Sequence, residues 1–311
     1  MRNKLLRFAG IWLWLSLWLL ICNGVAHADN AEMQHQYHAL QAALQNNAFG
    51  IPITIQSSDQ NHTMLGVVYG VMDQPFSAIK QALESPQAWC EIVPQHLNIK
   101  ACTFEQTDSQ CRVTFYSGRK FYQHPEDVYQ LPYRFAVSNA AADYFQTTLT
   151  ANKGPMGTSH YRIEVEAIPI AEHKTFLHFH YAYHYNFLTS LGMKTYLATL
   201  GSGKVGFSVT GSDDEGRPIY VDGIRGVIER NTIRYFFAIQ SYLDTQKVAP
   251  GKRLLARLNK WFVLTERFPR QLHEMDKADY LKYKQHEYAD QVQLQAKIPR
   301  PCRTPTGKPE S

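Results

Sequence analysis

The 311-residue sequence contains no hydrophobic run long enough to span a membrane and none of the common catalytic signatures. Its most apolar segment, Ile11–Ile21, covers 11 residues, whereas a membrane-spanning helix needs roughly 20. The patterns G-x-S-x-G, H-E-x-x-H and C-x-x-C are all absent. The usual sequence signals for a serine hydrolase, a zinc protease and a paired-cysteine metal or redox site are therefore missing.

The apolar segment has the features of a secretory leader. Three basic residues precede Ile11–Ile21, and the small-residue pattern Ala26-His27-Ala28 follows it. We predict that residues 1–28 are a signal peptide cleaved after Ala28, so that the mature chain begins at Asp29 and is periplasmic or secreted. An uncleaved anchor is the alternative. Lipidation of Cys22 is a weaker one, because Ile21 is not the small residue that such processing favours.

The sequence also lacks a strong excess of one charge. Without the leader it has 29 basic and 27 acidic residues, which leaves a net charge of +2. This is no electrostatic footprint for nucleic acid, so we predict that nucleic acid is not a partner.

Four cysteines remain after the leader: Cys90, Cys102, Cys111 and Cys302. In an exported chain, four cysteines suggest two disulfides, with three pairings open. We favour Cys90–Cys102 together with Cys111–Cys302, which would tie the tail to the domain. A Cys102–Cys111 bridge across a hairpin is the second choice.

The hydrophobic pattern alternates over most of the chain and becomes helical towards its end. Predicted helices cover Ala31–Leu44, Phe76–Leu83, Gln87–Leu97, Phe187–Leu200, Ile224–Leu243 and, interrupted near Pro269, Leu254–His286. Predicted strands cover Ile51–Ile55, Leu65–Val71, Asn98–Glu105, Cys111–Ser117, Leu131–Ser138, Asp143–Ala151, His160–Ile168, Thr175–Asn186, Lys204–Thr210 and Arg217–Asp222. Asp222 is expected to cap the long helix. No internal repeat or composition break divides the chain.

Two segments, read with the order of elements, resemble a known superfamily. "GVVYGVMDQPFSAIKQALESPQAWCEIVP", Gly66–Pro94, is similar to the opening of START-like (SRPBCC) proteins, and "GVIERNTIRYFFAIQSYL", Gly226–Leu243, occupies the place of their closing helix. The resemblance covers roughly residues 50–245. It implies an α+β helix-grip fold, in which a curved antiparallel sheet wraps around a long C-terminal helix, with a helical extension added here.

The resemblance also implies an apolar cavity between the sheet and the helix, since members of the superfamily bind lipids, sterols or aromatic molecules and a few are cyclases or hydrolases. We assign residues 29–246 to the helix-grip domain, 247–290 to a helical extension packed on it, and 291–311 to a disordered or disulfide-tethered tail. The extension carries an apolar cluster around Trp261 and Phe268. We expect it to pack against the domain; covering the pocket or transiently touching a membrane surface are the alternatives.

The segment "TFLHFHYAYHYNF", residues 175–187, puts three histidines and three tyrosines on one predicted strand. Because strand side chains alternate, its aromatic residues should face the core and its histidines the convex, wetter side. His180 and His184 would be roughly 13 Å apart, too far to share a metal ion. At most His178 and His180 share one, so no metal site is predicted.

A hairpin loop at Ala171–His173 accounts for both faces of this strand. It pairs Ile170 with Lys174, Glu166 with His178, Glu164 with His180 and His160 with His184. The two carboxylate–imidazole pairs would satisfy the outer face. The same register places Val165, Ile163 and Tyr161 beside Phe179, Tyr181 and Tyr183 on the inner face.

The inward tyrosines favour a cavity over a sealed core, because each buried hydroxyl needs a hydrogen-bond partner. The predicted ligand-binding residues are Tyr69, Phe115, Tyr133, Phe135, Phe145, Tyr161, Phe179, Tyr181, Tyr183, Tyr185 and Arg234. Arg234 is included because it could bind the anionic group of a lipid; a solvated helix face with a Glu229–Arg225 pair is the alternative.

Together these features predict an exported carrier or receptor for a hydrophobic or amphipathic, lipid-like molecule, with no cofactor. A cyclase- or hydrolase-type enzyme using the same cavity is the first alternative, although no acid, base or nucleophile is indicated. A protein-interaction module with a filled core is the second. The sequence identifies no protein partner.

Overall fold

The computed structural model describes residues 29–107, 110–138, 141–186, 203–298 and residue 302. The predicted signal peptide, the predicted helix Phe187–Leu200 and residues 303–311 of the tail lie outside these residues.

The helices and strands follow the predicted order. The helices are α1 (residues 29–45), α2 (Phe76–Leu83), α3 (Pro86–Ile92), α4 (Gly223–Asp244), α5 (Pro250–Thr265), α6 (Pro269–Leu272) and α7 (Lys277–Ala296). The strands are β1 (Ile53–Gln60), β2 (Thr63–Met72), β3 (Ile99–Gln106), β4 (Cys111–Ser117), β5 (Tyr129–Ser138), β6 (Phe145–Lys153), β7 (Ser159–Ala171), β8 (Lys174–His184), β9 (Val209–Ser212) and β10 (Pro218–Tyr220).

Eight of the strands form one curved antiparallel sheet in the order β1-β2-β8-β7-β6-β5-β4-β3. The long helix α4 packs on β1, β2 and β8. This is the helix-grip arrangement, so the predicted fold class and START-like resemblance are confirmed at the level of the fold. We call the face of the sheet towards α4 the inner face and the opposite face the outer face.

Several local predictions were wrong. In place of the predicted strand Lys204–Thr210, β9 begins only at Val209 and ends at Ser212, and the predicted strand Arg217–Asp222 shortens to β10. The two form a separate two-stranded hairpin. The helix expected over Gln87–Leu97 ends at Ile92, where a short 3-10 turn follows. Asp222 stands at the N-terminus of α4, but its side chain makes no capping hydrogen bond. By contrast, the Ser85 hydroxyl caps α3 by accepting the Ala88 N–H at 3.3 Å.

The β7–β8 register is as predicted in its centre and differs at both ends. Glu166 lies opposite His178, Glu164 opposite His180 and Ile163 opposite Tyr181. At one end Ala171, not Ile170, pairs with Lys174, so the connecting turn has two residues rather than three. At the other end Ser159, not His160, pairs with His184, because β7 contains a bulge between Ser159 and Arg162.

Two glycines on β2 allow α4 to lie directly on the sheet. A Cβ atom at Gly66 would stand 2.2 Å from the Thr232 hydroxyl oxygen, and one at Gly70 would stand 2.5 Å from the Phe236 ring. Both distances are shorter than any real van der Waals contact. The helix α4 therefore packs directly on the segment "GVVYG", residues 66–70, and we call this segment the seat for α4.

The outer face of the sheet is covered by α1 at one end. Met33 and Leu44 of α1 pack with Phe176 and Ile168 from β8 and β7 in a second hydrophobic cluster. The outer face is therefore apolar at this end, which the sequence did not indicate because it gives no sign of where α1 docks.

Helix α7 packs along the edge strand β3 with glutamine side chains. The Cys102 N–H donates to Gln291 Oε1 at 2.7 Å, and the Phe104 N–H donates to Gln295 Oε1 at 2.9 Å. The Gln295 amide donates in turn to the Phe104 carbonyl at 3.0 Å. These amides replace the neighbouring strand that an edge lacks, which protects the edge from pairing with other chains.

Two disulfides link the strands β3 and β4 to other parts of the chain. Cys90 is bonded to Cys102, with Cα atoms 4.8 Å apart, and Cys111 is bonded to Cys302, with Cα atoms 5.6 Å apart. This is the favoured pairing. The second bond anchors residue 302 to β4. Two disulfides are typical of an extracellular or periplasmic protein.

Within the described part of the chain, no helix has both the length and the apolar character that a bilayer crossing requires.

Because the seat leaves no room for a side chain, we expect Gly66→Ala to destabilise the protein by about 1–3 kcal/mol. The free energy of unfolding from urea titration measures the effect. Gly211→Ala is the matched control, since nothing lies within 4 Å of a Cβ atom there. Adding Thr232→Ala should restore part of the loss by removing the clashing hydroxyl. An equal effect of the Gly66 and Gly211 substitutions would contradict the close approach.

Candidate functional site

Most of the predicted ligand-binding residues meet on the inner face of the sheet. Those that belong to the main hydrophobic core are Phe115, Tyr133, Phe135, Phe145, Tyr161, Phe179, Tyr181 and Tyr183. The alternation along β4 to β8 turns them all towards α4, where they form an aromatic lining.

Five tyrosines form the centre of this lining. Tyr133 from β5, Tyr161 from β7, Tyr181 and Tyr183 from β8, and Tyr235 from α4 are linked through ring contacts, and we call them the tyrosine cluster. The ring centroids of Tyr161 and Tyr183 are 5.3 Å apart, and those of Tyr181 and Tyr235 are 5.6 Å apart. Tyr235 was not among the predicted site residues.

The hydroxyl groups of the cluster are mostly unpaired. The Tyr161 hydroxyl donates to Thr158 Oγ1 at 2.7 Å. The hydroxyls of the other four make no hydrogen bond with any residue that the structure describes. A buried phenol without a protein partner needs water or a ligand as its hydrogen-bond partner, which favours a cavity over a sealed core.

Burial keeps these phenols protonated. It raises the pKa of Tyr133, Tyr181, Tyr183 and Tyr235 well above that of a free tyrosine, and neighbouring tyrosines raise it further. Burial also raises the pKa of Tyr161 to about 12. At neutral pH the cluster therefore presents neutral O–H groups that can donate hydrogen bonds to acceptor atoms of a ligand.

A buried histidine borders the cluster but is held by its own partners. The His96 ring stacks on Tyr235 with centroids 4.7 Å apart. Its Nδ1 accepts the Asn98 N–H at 3.1 Å, which places the proton on Nε2, 3.3 Å from Asn231 Oδ1. Burial, together with nearby cations such as Arg234, lowers the pKa of His96 well below its usual range. This neutral imidazole has both nitrogens engaged and fixes the position of Tyr235.

Two predicted tyrosines lie elsewhere. Tyr69 is on the outer face, where its ring stacks on His178 with centroids 4.7 Å apart, so its inward assignment was wrong. The reason is the alternation of side chains along β2. Gly66 and Gly70 face α4 on the inner face, so Tyr69, which directly precedes Gly70, faces the opposite side. Tyr185 is at the rim, and its hydroxyl donates to Asp59 Oδ1 at 2.9 Å.

Arg234 is buried in an ion pair. Its guanidinium lies 2.7 Å from Glu274 Oε1 and also donates to the Leu272 carbonyl. The solvated helix face considered as the alternative was also wrong. Glu229 is fully buried and accepts hydrogen bonds from the Ser57 and Ser208 hydroxyls and two backbone N–H groups. Among the described residues it forms no ion pair with Arg225, which donates to Ser57 instead.

The outer face contains the predicted His178–Glu166 pair. His178 Nδ1 is 2.6 Å from Glu166 Oε2, and the Tyr144 hydroxyl donates to the other oxygen of the same carboxylate at 2.5 Å. The second predicted pair does not form, because Glu164 binds Arg162 instead of His180. A carboxylate–imidazole–phenol group of this kind orients its histidine, and here it supports the ring that stacks on Tyr69.

A separate cleft of about 260 Å³ opens where β1 and β2 meet the end of α4. Its walls include Ile53, Met72 and Phe236, and its rim includes Asp244 and Lys260. No predicted site residue lines it, so the cleft and the tyrosine cluster are distinct.

No protein-family model and no curated protein matches the chain. Among solved structures, similar chains include a conserved protein of unknown function from Enterococcus faecalis (13% identity, 81% of this chain and 97% of that chain covered, TM-score 0.33). Another is human StAR-related lipid transfer protein 5 (12% identity, 71% of this chain and 97% of that chain covered, TM-score 0.34). A third is the Zhui aromatase/cyclase from Streptomyces sp. R1128 (11% identity, 65% of this chain and 94% of that chain covered, TM-score 0.31). Likenesses this distant carry no argument about ligand or activity, so the fold assignment rests on the topology described above.

Buried His96 and half-buried His180 should make the protein acid-sensitive. Burial, assisted by His178 and Arg162, lowers the pKa of His180 to about 4, and the pKa of His96 is lowered as well. Below the ordinary histidine pKa of about 6.5 the unfolded chain takes up protons that the folded chain does not. The two neutral histidines therefore contribute fully to the stability of the folded protein above pH 6.5 and progressively less below it. The free energy of unfolding should fall by about 1–3 kcal/mol between pH 7 and pH 5.

Urea titrations at several pH values measure this slope, and His180→Gln should reduce it. His173→Gln, in the exposed β7–β8 turn, should leave it unchanged. A slope that is the same in all three proteins would contradict the assignment to His180.

Proposed function

We propose that the protein is an exported binding or carrier protein for a hydrophobic or amphipathic, lipid-like molecule held between the inner face of the sheet and α4. The observation that carries this proposal is the set of four buried tyrosine side chains on the inner face whose hydroxyls make no hydrogen bond with any described residue. The two disulfides, together with the predicted leader, support a periplasmic or secreted location.

Binding would be driven by removing apolar surface from water. The aromatic rings that surround the hydroxyls offer that surface, with Phe115 and Phe179 in ring contact with Tyr133 and Tyr235. The hydroxyls would orient the ligand by donating to its acceptor oxygens, which is how a few polar groups commonly give specificity to an apolar pocket. Because the phenols are neutral, an uncharged acceptor such as a carbonyl or hydroxyl suits them.

The enzymatic alternative is less well supported. Acid–base catalysis needs a group that can exchange a proton with the substrate. His96 is the histidine that contacts the cluster, and both of its nitrogens are already bonded to protein groups. The tyrosines have raised pKa values and would not act as bases at neutral pH.

Native mass spectrometry of the mature protein, purified from its own host without detergent, tests the proposal directly. We expect a stoichiometric extra mass that solvent extraction releases as a lipid or an aromatic compound. A bare mass, combined with no uptake of fluorescent fatty-acid or sterol probes, would rule out the carrier function.

Replacing single tyrosines by phenylalanine tests the role of the hydroxyls. We expect Tyr181→Phe and Tyr235→Phe to weaken binding of an amphipathic fluorescent probe by about fivefold each, since a net hydrogen bond contributes about 1 kcal/mol. Thermal stability should stay the same or rise, because each substitution removes an unpaired polar group. Tyr69→Phe is the control, because it removes a phenol hydroxyl from the outer face and leaves the cluster unchanged. Equal affinities for all three variants and the original protein would contradict the site.

A further inference from the structure

The bulge in β7 changes what the outer face can bind. Between Ser159 and Arg162 strand β7 advances three residues while its partner β8 advances two, from His184 to Ala182. His160 occupies the bulge with φ +50°, a left-handed conformation that is uncommon for a residue other than glycine. Bulges commonly re-aim a side chain, and strained backbone at such a point is a reason to look for a function.

The bulge brings the His160 ring next to that of His184. Their centroids are 5.0 Å apart with an angle of 49° between the ring planes, and both residues are exposed. Two imidazoles bound to one tetrahedral zinc ion, with metal–nitrogen bonds of about 2.0–2.1 Å, have their ring centroids about 5 Å apart. The observed spacing therefore already matches that of a shared metal ion.

One nitrogen of each ring is held by a hydroxyl group from a neighbouring residue. His160 Nδ1 lies 3.0 Å from Ser159 Oγ, and His184 Nε2 lies 3.1 Å from Thr63 Oγ1. His160 Nε2 and His184 Nδ1 make no hydrogen bond within the described residues. Metal-binding histidines usually have this division, in which one nitrogen is fixed by an outer partner and the other binds the ion.

We propose that His160 and His184 form a two-histidine site for a transition-metal ion of the Cu²⁺, Ni²⁺ or Zn²⁺ class. Imidazole nitrogens suit these ions, whereas Mg²⁺ and Ca²⁺ prefer oxygen ligands. Among the described residues no group of three or more His, Cys, Asp or Glu side chains is arranged for a metal ion. The site thus offers two protein ligands and leaves the remaining positions to water or to an external ligand.

The site is independent of the tyrosine cluster, although the β7 bulge contains a residue of each, His160 and Tyr161. Tyr161, the neighbour of His160 in the bulge, points to the inner face and His160 to the outer face. Loss of metal binding would therefore leave ligand binding intact, and the two proposals can fail separately.

Isothermal titration of the tag-free full-length mature protein with Cu²⁺, Ni²⁺ and Zn²⁺ tests the site. We expect one saturable site with Cu²⁺ bound most tightly, and no binding of Mg²⁺ or Ca²⁺. His160→Gln and His184→Gln should each weaken binding at least about tenfold, and Thr63→Val should weaken it less, as expected for a group that orients a ligand.

His173→Gln is the control, because this exposed histidine lies at the opposite end of the β7–β8 hairpin. Circular dichroism of each variant would show that it folds. Saturable binding that survives both His160→Gln and His184→Gln, or the absence of any saturable binding to the original protein, would overturn the proposal.

Discussion

The close approach of α4 to β2 is the constraint on which the rest of the structure depends. It requires that two inner positions of β2, Gly66 and Gly70, have no side chain. With the helix packed there, the Tyr235 ring contacts Tyr181 of β8. A wider separation at β2 would move Tyr235 out of the cluster. The glycines therefore set the geometry of the candidate site without touching it.

Strand β8 separates two chemical environments. Its inner side chains supply phenol groups to the candidate ligand space, and its outer side chains supply imidazoles that meet a carboxylate at Glu166 and a second imidazole at His160. Because successive side chains of a strand point to opposite faces, neighbouring residues of β8 belong to different environments. One hairpin can therefore support an apolar binding space and a polar surface together.

The C-terminal part of the chain completes the sheet. Gln291 and Gln295 of α7 bond the free edge of β3, and Lys284 and Glu287 carry an ion pair into the same buried layer at 2.7 Å. Burial lowers the pKa of Lys284 to about 8 in spite of Glu287, so this pair contributes to how α7 is positioned more than to net stability. The Cys111–Cys302 bond then fixes the chain beyond α7.

The sequence by itself determined the order of elements and the centre of the β7–β8 register, because alternation and turn residues are local signals. The helix-grip fold class was implied by the resemblance to START-like proteins. The sequence also indicated most of the inner aromatic residues. Only the tertiary structure decided that Tyr69 faces outward, that Arg234 is paired with Glu274 and that His160 lies beside His184. Each of these depends on a contact between segments distant in sequence or on a one-residue bulge, and neither leaves a trace in a periodic pattern.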